Sequence, residues 1–212
     1  MKKINEVITL LKKEYKVDKP FLNFETDFQL LVSVILSAQC TDARVNIVTK
    51  ELFKKVNHPK DLLKLSQKQL ENYVYQTGFY RNKAKYLKAT AEILEKKFKG
   101  IVPSTMEELL TLRGVSRKTA NVVLGYLFNQ KDAFPVDTHV KRLTNRLELT
   151  KSKNPAVIER DLIKIIPTDE RFNLSTYLIA HGRAVCKAKN PSCKRCILQK
   201  LCPSAFRFEK SL

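Results

Sequence analysis

Apolar residues recur at helical spacing along the whole chain, and this periodicity limits the possible folds more than any other feature of the sequence. No segment shows the sustained alternation of apolar and polar residues between hairpin turns that a β-sheet requires. The spacing therefore predicts an all-α protein of about ten helices.

The segment from Phe28 to Leu36 is apolar on nearly every side. A helix tolerates this pattern only when neighbouring helices cover all of its faces, so we predict that it is the central helix of a bundle. At the N-terminus, Ile4, Val7, Ile8 and Leu11 share one face of a helix. Other amphipathic segments, each able to turn one face inward, lie near residues 42–56, 66–77, 81–98, 105–112 and 117–128.

Two capping patterns mark where helices begin. Ser66 with Gln69, and Ser104 with Glu107, each match a capping box, in which a hydroxyl and a side chain three residues later satisfy amides of the first turn. We therefore expect a helix to start directly after each of these serines.

Forty Lys and Arg residues against twenty-one Asp and Glu give a formal net charge of +19. Such an excess attracts polyanions and costs stability through self-repulsion, so DNA or RNA explains it better than a generally lysine-rich surface does. The apolar runs are too short to span a membrane of about 30 Å. The N-terminus also lacks the apolar segment and cleavage site of a signal peptide, so we expect a cytoplasmic protein.

Four of the five cysteines lie within seventeen residues, at Cys186, Cys193, Cys196 and Cys202. In a reducing compartment, clustered thiols usually bind metal and do not form disulfides. Zinc ribbons typically use two tight cysteine pairs, whereas the spacing C-x6-C-x2-C-x5-C has only one. A [4Fe–4S] cluster is modestly favoured on this ground, and zinc stays open.

Basic residues are interleaved with these cysteines. A metal centre would hold the loop in a fixed shape and present the basic side chains to DNA phosphates. Ordinary solvated charge is the alternative. The candidate phosphate contacts are Lys187, Lys189, Lys194 and Arg195.

The segment from Leu112 to Ala120 is typical of a tight hairpin between two helices. Its backbone N–H groups and the N-terminus of the following helix could hold a DNA phosphate, which would position the duplex without reading its sequence. Taken alone, the segment could also be an ordinary connection between helices. The candidate contacts are Arg113, Gly114, Val115, Ser116 and Arg117.

Two residues that follow this hairpin in the sequence could carry chemistry. Lys118 lies about one turn into the next helix, where the helix N-terminus and neighbouring cations favour a neutral, nucleophilic amine. Asp137 opens a later helical stretch, where its carboxylate could manage protons and stabilise positive charge on a sugar. The simpler interpretations are a solvent-facing lysine and a helix-capping aspartate, and the residues alone favour these.

The hairpin with its lysine, the segment Val136–His139 and the cysteine spacing occur in this order along the chain. Together they resemble the endonuclease III family of the helix-hairpin-helix DNA glycosylase superfamily. Further similar segments are 36–42, 78–84, 118–124 and 181–183. The resemblance extends over roughly residues 4–205.

This resemblance implies two helical domains with a DNA-binding cleft between them. One is a six-helix barrel with the helix-hairpin-helix at residues 21–130, and the other is an iron–sulfur domain of residues 1–20 and 131–212. It also implies one [4Fe–4S] cluster on the four cysteines. The protein would be a monomer, associated with the nucleoid, that binds double-stranded DNA containing damaged bases or abasic sites.

The activity implied by the resemblance is base excision repair of oxidised pyrimidines. Lys118 would attack C1′ of the damaged nucleotide and form a Schiff base, Asp137 would assist loss of the base, and β-elimination would then cut the strand. Gln39 and Phe79 fall where the family places residues that fill the gap left by an extruded nucleotide. Gln39 would bond the orphaned partner base, and Phe79 would wedge into the base stack.

The hairpin departs from the family pattern at Arg113 and Ser116, where the family often has proline and glycine. The hydroxyl of Ser116 could cap the following helix, although a positive φ at this position would strain a serine. Arg113 could add charge near a phosphate. These departures concern the geometry of the hairpin and leave the proposed chemistry intact.

Two other functions are compatible with these residues. A mismatch-specific glycosylase of the same superfamily would differ in the pocket that selects the base. A non-catalytic, cluster-bearing DNA-binding module would use the hairpin and the cysteine loop without needing Lys118.

Overall fold

The structure is a computed structural model that describes residues 2–16 and 20–208. Within these residues it contains eleven α-helices, four short 3-10 helices and no β-strand, which confirms the predicted all-α fold. None of the described helices is long and apolar enough to cross a membrane. The α-helices are α1 (Lys2–Glu14), α2 (Asp27–Leu36), α3 (Asp42–Leu52), α4 (Pro59–Lys64), α5 (Gln67–Val74), α6 (Tyr80–Phe98), α7 (Met106–Leu110), α8 (Arg117–Leu127), α9 (Thr138–Arg146), α10 (Pro155–Leu162) and α11 (Arg171–Ala184).

The described residues form two compact units. One comprises those within Lys19–Asn129 and contains α2 to α8. The other comprises those within Met1–Asp18 and Gln130–Leu212, and contains α1, α9, α10, α11 and the cysteine-rich loop. We call them the hairpin unit and the cysteine unit.

Helix α2 is the centre of the hairpin unit. Every residue from Phe28 to Leu36 is buried, and the helix packs against α3, α6 and α8, as the apolar sequence predicted. Full burial of one large aliphatic or aromatic side chain stabilises a fold by about 1.5–3 kcal/mol, so this nine-residue run is a principal source of stability. The Thr26 hydroxyl accepts a hydrogen bond from the Gln29 amide and sets where the helix begins.

The helix starts follow local capping chemistry. Ser66 and Gln69 form the predicted capping box at the start of α5. The prediction for Ser104 was wrong by one residue, because Thr105 is the N-cap of α7 and accepts from the Glu108 amide. The predicted segment 42–56 is also too long, since α3 ends at Leu52.

The core of the cysteine unit includes the apolar face of α1. Ile4, Val7, Ile8 and Leu11 are buried there, as predicted, together with Phe134 and other apolar residues. Helix α11 packs against both α1 and α9. This packing fixes α9 and α11, the two helices that border the cysteine-rich loop.

Candidate functional site

The hairpin between α7 and α8 turns at Gly114, whose φ is +78°. A side chain at this position would also meet Tyr86 of α6, with the new Cβ only 3.1 Å from the Tyr86 Cβ. The Thr90 hydroxyl donates to the Arg113 carbonyl at 2.7 Å and ties the turn to the same helix. Glycine is therefore required at the turn both for its backbone conformation and for this close approach.

Ser116 is the N-cap of α8. Its φ is −93°, so the strain that a positive φ would bring does not arise, and its hydroxyl accepts from the Thr119 amide at 3.3 Å. Arg113, Gly114, Ser116 and Arg117 are exposed, whereas the Val115 side chain is buried. Val115 is therefore suited to contact a phosphate only through its main chain.

Lys118 is the second residue of α8, closer to the helix start than the sequence suggested. Its side chain is partly buried. At this position the aligned peptide dipoles of the helix produce a positive potential. Such a potential favours an amine without its proton over the ammonium form.

Gln39 and Phe79 lie on two turns of the hairpin unit and share an unusual backbone conformation. Gln39 follows α2 with φ +52°, and Phe79 precedes α6 with φ +47°. Both side chains are exposed, and 65% of the Phe79 surface is accessible to solvent. A large apolar side chain held in solvent on a left-handed backbone suits a wedge for a base stack.

Asp137 is the N-cap of α9 in the cysteine unit. Its Oδ1 accepts from the amides of His139 and Val140, both at 2.8 Å, and its Oδ2 lies 3.0 Å from the His139 Nδ1. The carboxylate is therefore a helix cap, as the simpler interpretation held. These contacts also fix its orientation and leave it about one-fifth exposed.

The four clustered cysteines line a single cavity. Cys186 follows α11, and the loop after it brings Cys193, Cys196 and Cys202 to the lining of the same pocket. All four thiols are partly buried. The sequence spacing thus leads to four cysteines that line one pocket.

The environment of this pocket opposes thiolate formation at Cys196 and Cys202. Among the described residues, no three Cys, His, Asp or Glu side chains are arranged to hold one metal ion. Burial raises the pKa of the Cys196 thiol to about 11, and the other three thiols act in the same direction. Four thiolates can share this cavity only if a positively charged group neutralises them.

Several residues that border the cysteines were missed by the sequence analysis. Arg146 of α9 donates to the Cys186 Sγ at 3.2 Å and to the carbonyls of Lys187 and Ala188. Arg142, one turn earlier, donates to the Cys186 carbonyl. The two arginines therefore hold the start of the cysteine loop.

His181 of α11 also borders the cysteines. Its Nε2 lies 3.3 Å from the Cys196 Sγ, and its Nδ1 lies 2.9 Å from the Tyr15 hydroxyl. Burial lowers the pKa of His181 to about 4, so the ring is neutral at physiological pH. A neutral ring with Nε2 protonated can donate to the sulfur while it accepts from Tyr15.

The basic residues of the loop point outward. Lys187, Lys189, Lys194 and Arg195 are all exposed, as contacts to phosphates would require. The structure thus divides the predicted site residues between the two units. Gln39, Phe79, the hairpin and Lys118 lie in the hairpin unit, and Asp137, the cysteines and the basic loop lie in the cysteine unit.

Comparison with known families gives a match over most of the chain. The HhH-GPD family, described as a superfamily of base excision DNA repair proteins, matches residues 32–168. The endonuclease III of Synechocystis sp. is 50% identical over 200 residues, which cover 94% of this chain and 91% of that protein.

Two solved structures are similar over nearly the full length. A non-covalent endonuclease III–DNA complex has a TM-score of 0.93 and 38% sequence identity, and the match covers 97% of this chain and 96% of that chain. A trapped covalent endonuclease III–DNA intermediate has the same TM-score and identity, with 97% of each chain covered.

Proposed function

Since the chain belongs to the endonuclease III family of HhH-GPD base excision DNA repair proteins, we propose that it is a bifunctional DNA glycosylase and abasic-site lyase. It removes oxidised pyrimidines from double-stranded DNA and then cuts the strand by β-elimination. The observation that carries this conclusion is the full-length similarity to an endonuclease III trapped as a covalent DNA intermediate. A covalent intermediate is what a lysine nucleophile would form.

Lys118 is the proposed nucleophile. Its amine attacks C1′ of the damaged nucleotide, the bond from C1′ to the base breaks, and the base leaves with the bonding electrons and takes up a proton. The sugar ring opens to a Schiff base between the lysine and C1′. Loss of a proton from C2′ then expels the 3′ phosphate, which cuts the strand. The place of Lys118 in the first turn of α8 supports this role, because a helix N-terminus favours the neutral amine.

Asp137 is the proposed assistant in base loss. A fixed carboxylate can stabilise the positive charge that develops on the sugar as the base departs. Support comes from the two amides and the His139 ring that orient the carboxylate, since an electrostatic partner must not reorganise during the reaction. In this proposal, capping α9 and assisting catalysis are compatible tasks of one side chain.

Gln39, Phe79 and the hairpin are the proposed DNA contacts of the hairpin unit. The enzyme must extrude the nucleotide before the amine can reach C1′, and the gap must be filled. Gln39 bonds the orphaned base and Phe79 enters the stack, while the amides around Gly114 and the start of α8 hold a phosphate. The exposure of these groups supports this assignment.

The endonuclease III family bears an iron–sulfur cluster, and Cys186, Cys193, Cys196 and Cys202 are the proposed ligands of one [4Fe–4S] cluster. The four cysteines line one pocket, and their spacing contains only one tight pair, which fits a cluster better than zinc. When bound, such a cluster supplies a positively charged crosslink between four thiolates. The exposed Lys189, Lys194 and Arg195 would then form a rigid phosphate-binding loop.

The two alternative functions are not favoured. An endonuclease III relative at 50% identity and two endonuclease III–DNA structures at 38% identity favour neither a mismatch-specific glycosylase nor a protein without catalysis. That the protein acts as a monomer at the nucleoid stays a prediction.

A panel of lesion-bearing duplexes tests the proposed function. Matched duplexes would carry an oxidised pyrimidine, a G·T mismatch, an abasic site or no lesion. We expect the duplex with the oxidised pyrimidine to give both free base and a strand cut. The duplex with the abasic site should give a strand cut alone, and the G·T mismatch and the undamaged duplex should give no product. Base release from the mismatch and not from the oxidised pyrimidine would contradict the proposal, as would base release without any strand cut.

A further inference from the structure

Lys83 is a buried lysine that the proposed chemistry does not use. Only 4% of its surface is exposed, although it lies in the first turn of α6. Its Nζ donates to the carbonyl of Leu36 at 2.9 Å and to the carbonyl of Thr77 at 2.6 Å. A buried ammonium that bonds two separate main-chain segments is uncommon, because burial of a charge is unfavourable unless its partners compensate.

The two segments held by Lys83 are those that carry the proposed gap-filling residues. Leu36 is the last residue of α2 and lies three positions before Gln39. Thr77 lies two positions before Phe79. The backbone amide of Lys83 also donates to the Phe79 carbonyl at 3.0 Å. One residue therefore bonds the approaches to both turns.

Both gap-filling residues need such support. Gln39 and Phe79 are non-glycine residues with φ values of +52° and +47°, a conformation that is strained for L residues and persists only when the surroundings enforce it. Phe79 also keeps 65% of its surface exposed, so packing of its own side chain does not hold the turn. The hydrogen bonds of Lys83 provide a restraint from outside each turn.

The electrostatics agree with this geometry. Burial lowers the pKa of Lys83, and a negative charge on Cys40 would act in the opposite direction. The Leu36 carbonyl lies at the negative end of α2, where a cation is favoured. Removal of the ammonium would leave the Leu36 and Thr77 carbonyls without this donor in a buried position.

We propose that Lys83 is a positioning residue that joins the Gln39 turn and the Phe79 turn into one unit for nucleotide extrusion. This inference rests on the proposed function, since it concerns the gap-filling step of that reaction. Lys83 acts through the two turns and does not touch the reacting atoms.

The test compares Lys83→Met with Lys85→Met. Methionine keeps an unbranched side chain of similar length without the donors, and Lys85 is an exposed lysine of the same helix, so the control loses the same charge. Extrusion is followed by 2-aminopurine fluorescence next to an oxidised pyrimidine in a duplex. We expect Lys83→Met to lower extrusion and single-turnover base release by about tenfold. Lys85→Met should match the unmodified protein.

A single-stranded oligonucleotide with an abasic site separates positioning from general damage, because it has no base stack to open. Cleavage of this substrate by Lys83→Met should stay within about twofold of the unmodified protein. An equal loss on both substrates, or an unchanged duplex reaction, would overturn the inference. If the unmodified protein fails to cut an abasic site in duplex DNA, the proposed function fails instead, which is a distinguishable result.

A double-mutant cycle gives a second readout that a purely structural role would not change. When Lys83 is present, the effect of Gln39→Ala and Phe79→Ala together on extrusion should differ from the sum of their separate effects. In the Lys83→Met background, the two separate effects should add. Persistent coupling in that background would overturn the inference. Should Lys83→Met not fold, Lys83→Gln keeps an amide donor and is judged by the same criteria, with a smaller expected loss.

Discussion

At the scale of single residues, Asp137 combines a structural and a proposed catalytic task. Oδ1 satisfies two amides at the start of α9, and Oδ2 contacts the His139 ring. Asparagine is about as good an N-cap as aspartate, so a single substitution can remove the charge and leave the cap. The two tasks can therefore be separated by experiment.

We expect Asp137→Asn to lower single-turnover base release by about a hundredfold or more, because the charge acts in the transition state. DNA affinity, measured by fluorescence anisotropy, and the Tm should change little. The N-cap bonds to His139 and Val140 can be kept by the asparagine carbonyl oxygen. Equal turnover in Asp137→Asn and the unmodified protein would remove Asp137 from the mechanism.

At the scale of elements, the hairpin depends on one glycine and one helix cap. Gly114 makes the turn, and the Ser116 hydroxyl begins α8, the helix that carries Lys118. Since the cap satisfies an amide of the first turn, it stabilises the start of the helix on which the proposed nucleophile lies.

Ser116→Ala should therefore destabilise the protein by about 1 kcal/mol and lower its Tm by about 2–4 °C. The matched variant is Ser116→Gly, which restores the residue common in the family. Its free energy of unfolding should fall by only a few tenths of a kcal/mol, because glycine is also accepted at an N-cap. Thermal unfolding followed by circular dichroism measures both. A larger loss for glycine than for alanine would show that the cap bond does not stabilise α8.

The cysteine loop is the second element with a direct test. Purified protein should contain about four iron and four sulfide per chain and absorb at the blue end of the visible spectrum. Removal of the iron by a chelator should lower the Tm and weaken DNA binding, since the loop residues then lose their crosslink. Stoichiometric zinc in place of iron would contradict the cluster assignment.

The sequence predicted those elements whose signals are local. The apolar run of α2, the capping box at Ser66 and the four cysteines are each encoded within a short stretch of chain. The start of α7 was missed because Ser104 with Glu107 and Thr105 with Glu108 present the same pattern one residue apart, and only the folded chain selects Thr105.

The supports of the candidate site were not predictable, because they join positions far apart in the sequence. Arg146 reaches Cys186 across 40 residues, and Lys83 reaches Leu36 across 47. In the sequence each is one basic residue among forty. Their roles depend on which helices pack together, which periodicity alone does not reveal.

At the scale of the whole molecule, the net charge of +19 favours binding to any polyanion. Binding that depends on phosphate contacts weakens steeply with salt, because each contact releases condensed counterions. The exposed loop residues Lys194 and Arg195 are proposed to make two of these contacts.

The double substitution of Lys194 and Arg195 by Gln should reduce the slope of log affinity against log salt by about 1.8, equally for DNA of any sequence. A matched pair, Lys151 and Lys153, is also exposed in the cysteine unit and serves as the control for net charge. Fluorescence anisotropy across a salt series gives the slopes. The same reduction in both variants would assign the effect to overall charge and not to the loop.

The identity of the nucleophile is the central claim, and borohydride trapping on a duplex with an abasic site measures it most directly. The reagent reduces a Schiff base to a stable amine, so the unmodified protein and the exposed-lysine control Lys96→Ala should both form a covalent DNA adduct. Lys118→Ala should form none while it still binds the duplex. An adduct with Lys118→Ala, or no adduct with the unmodified protein, would contradict the account.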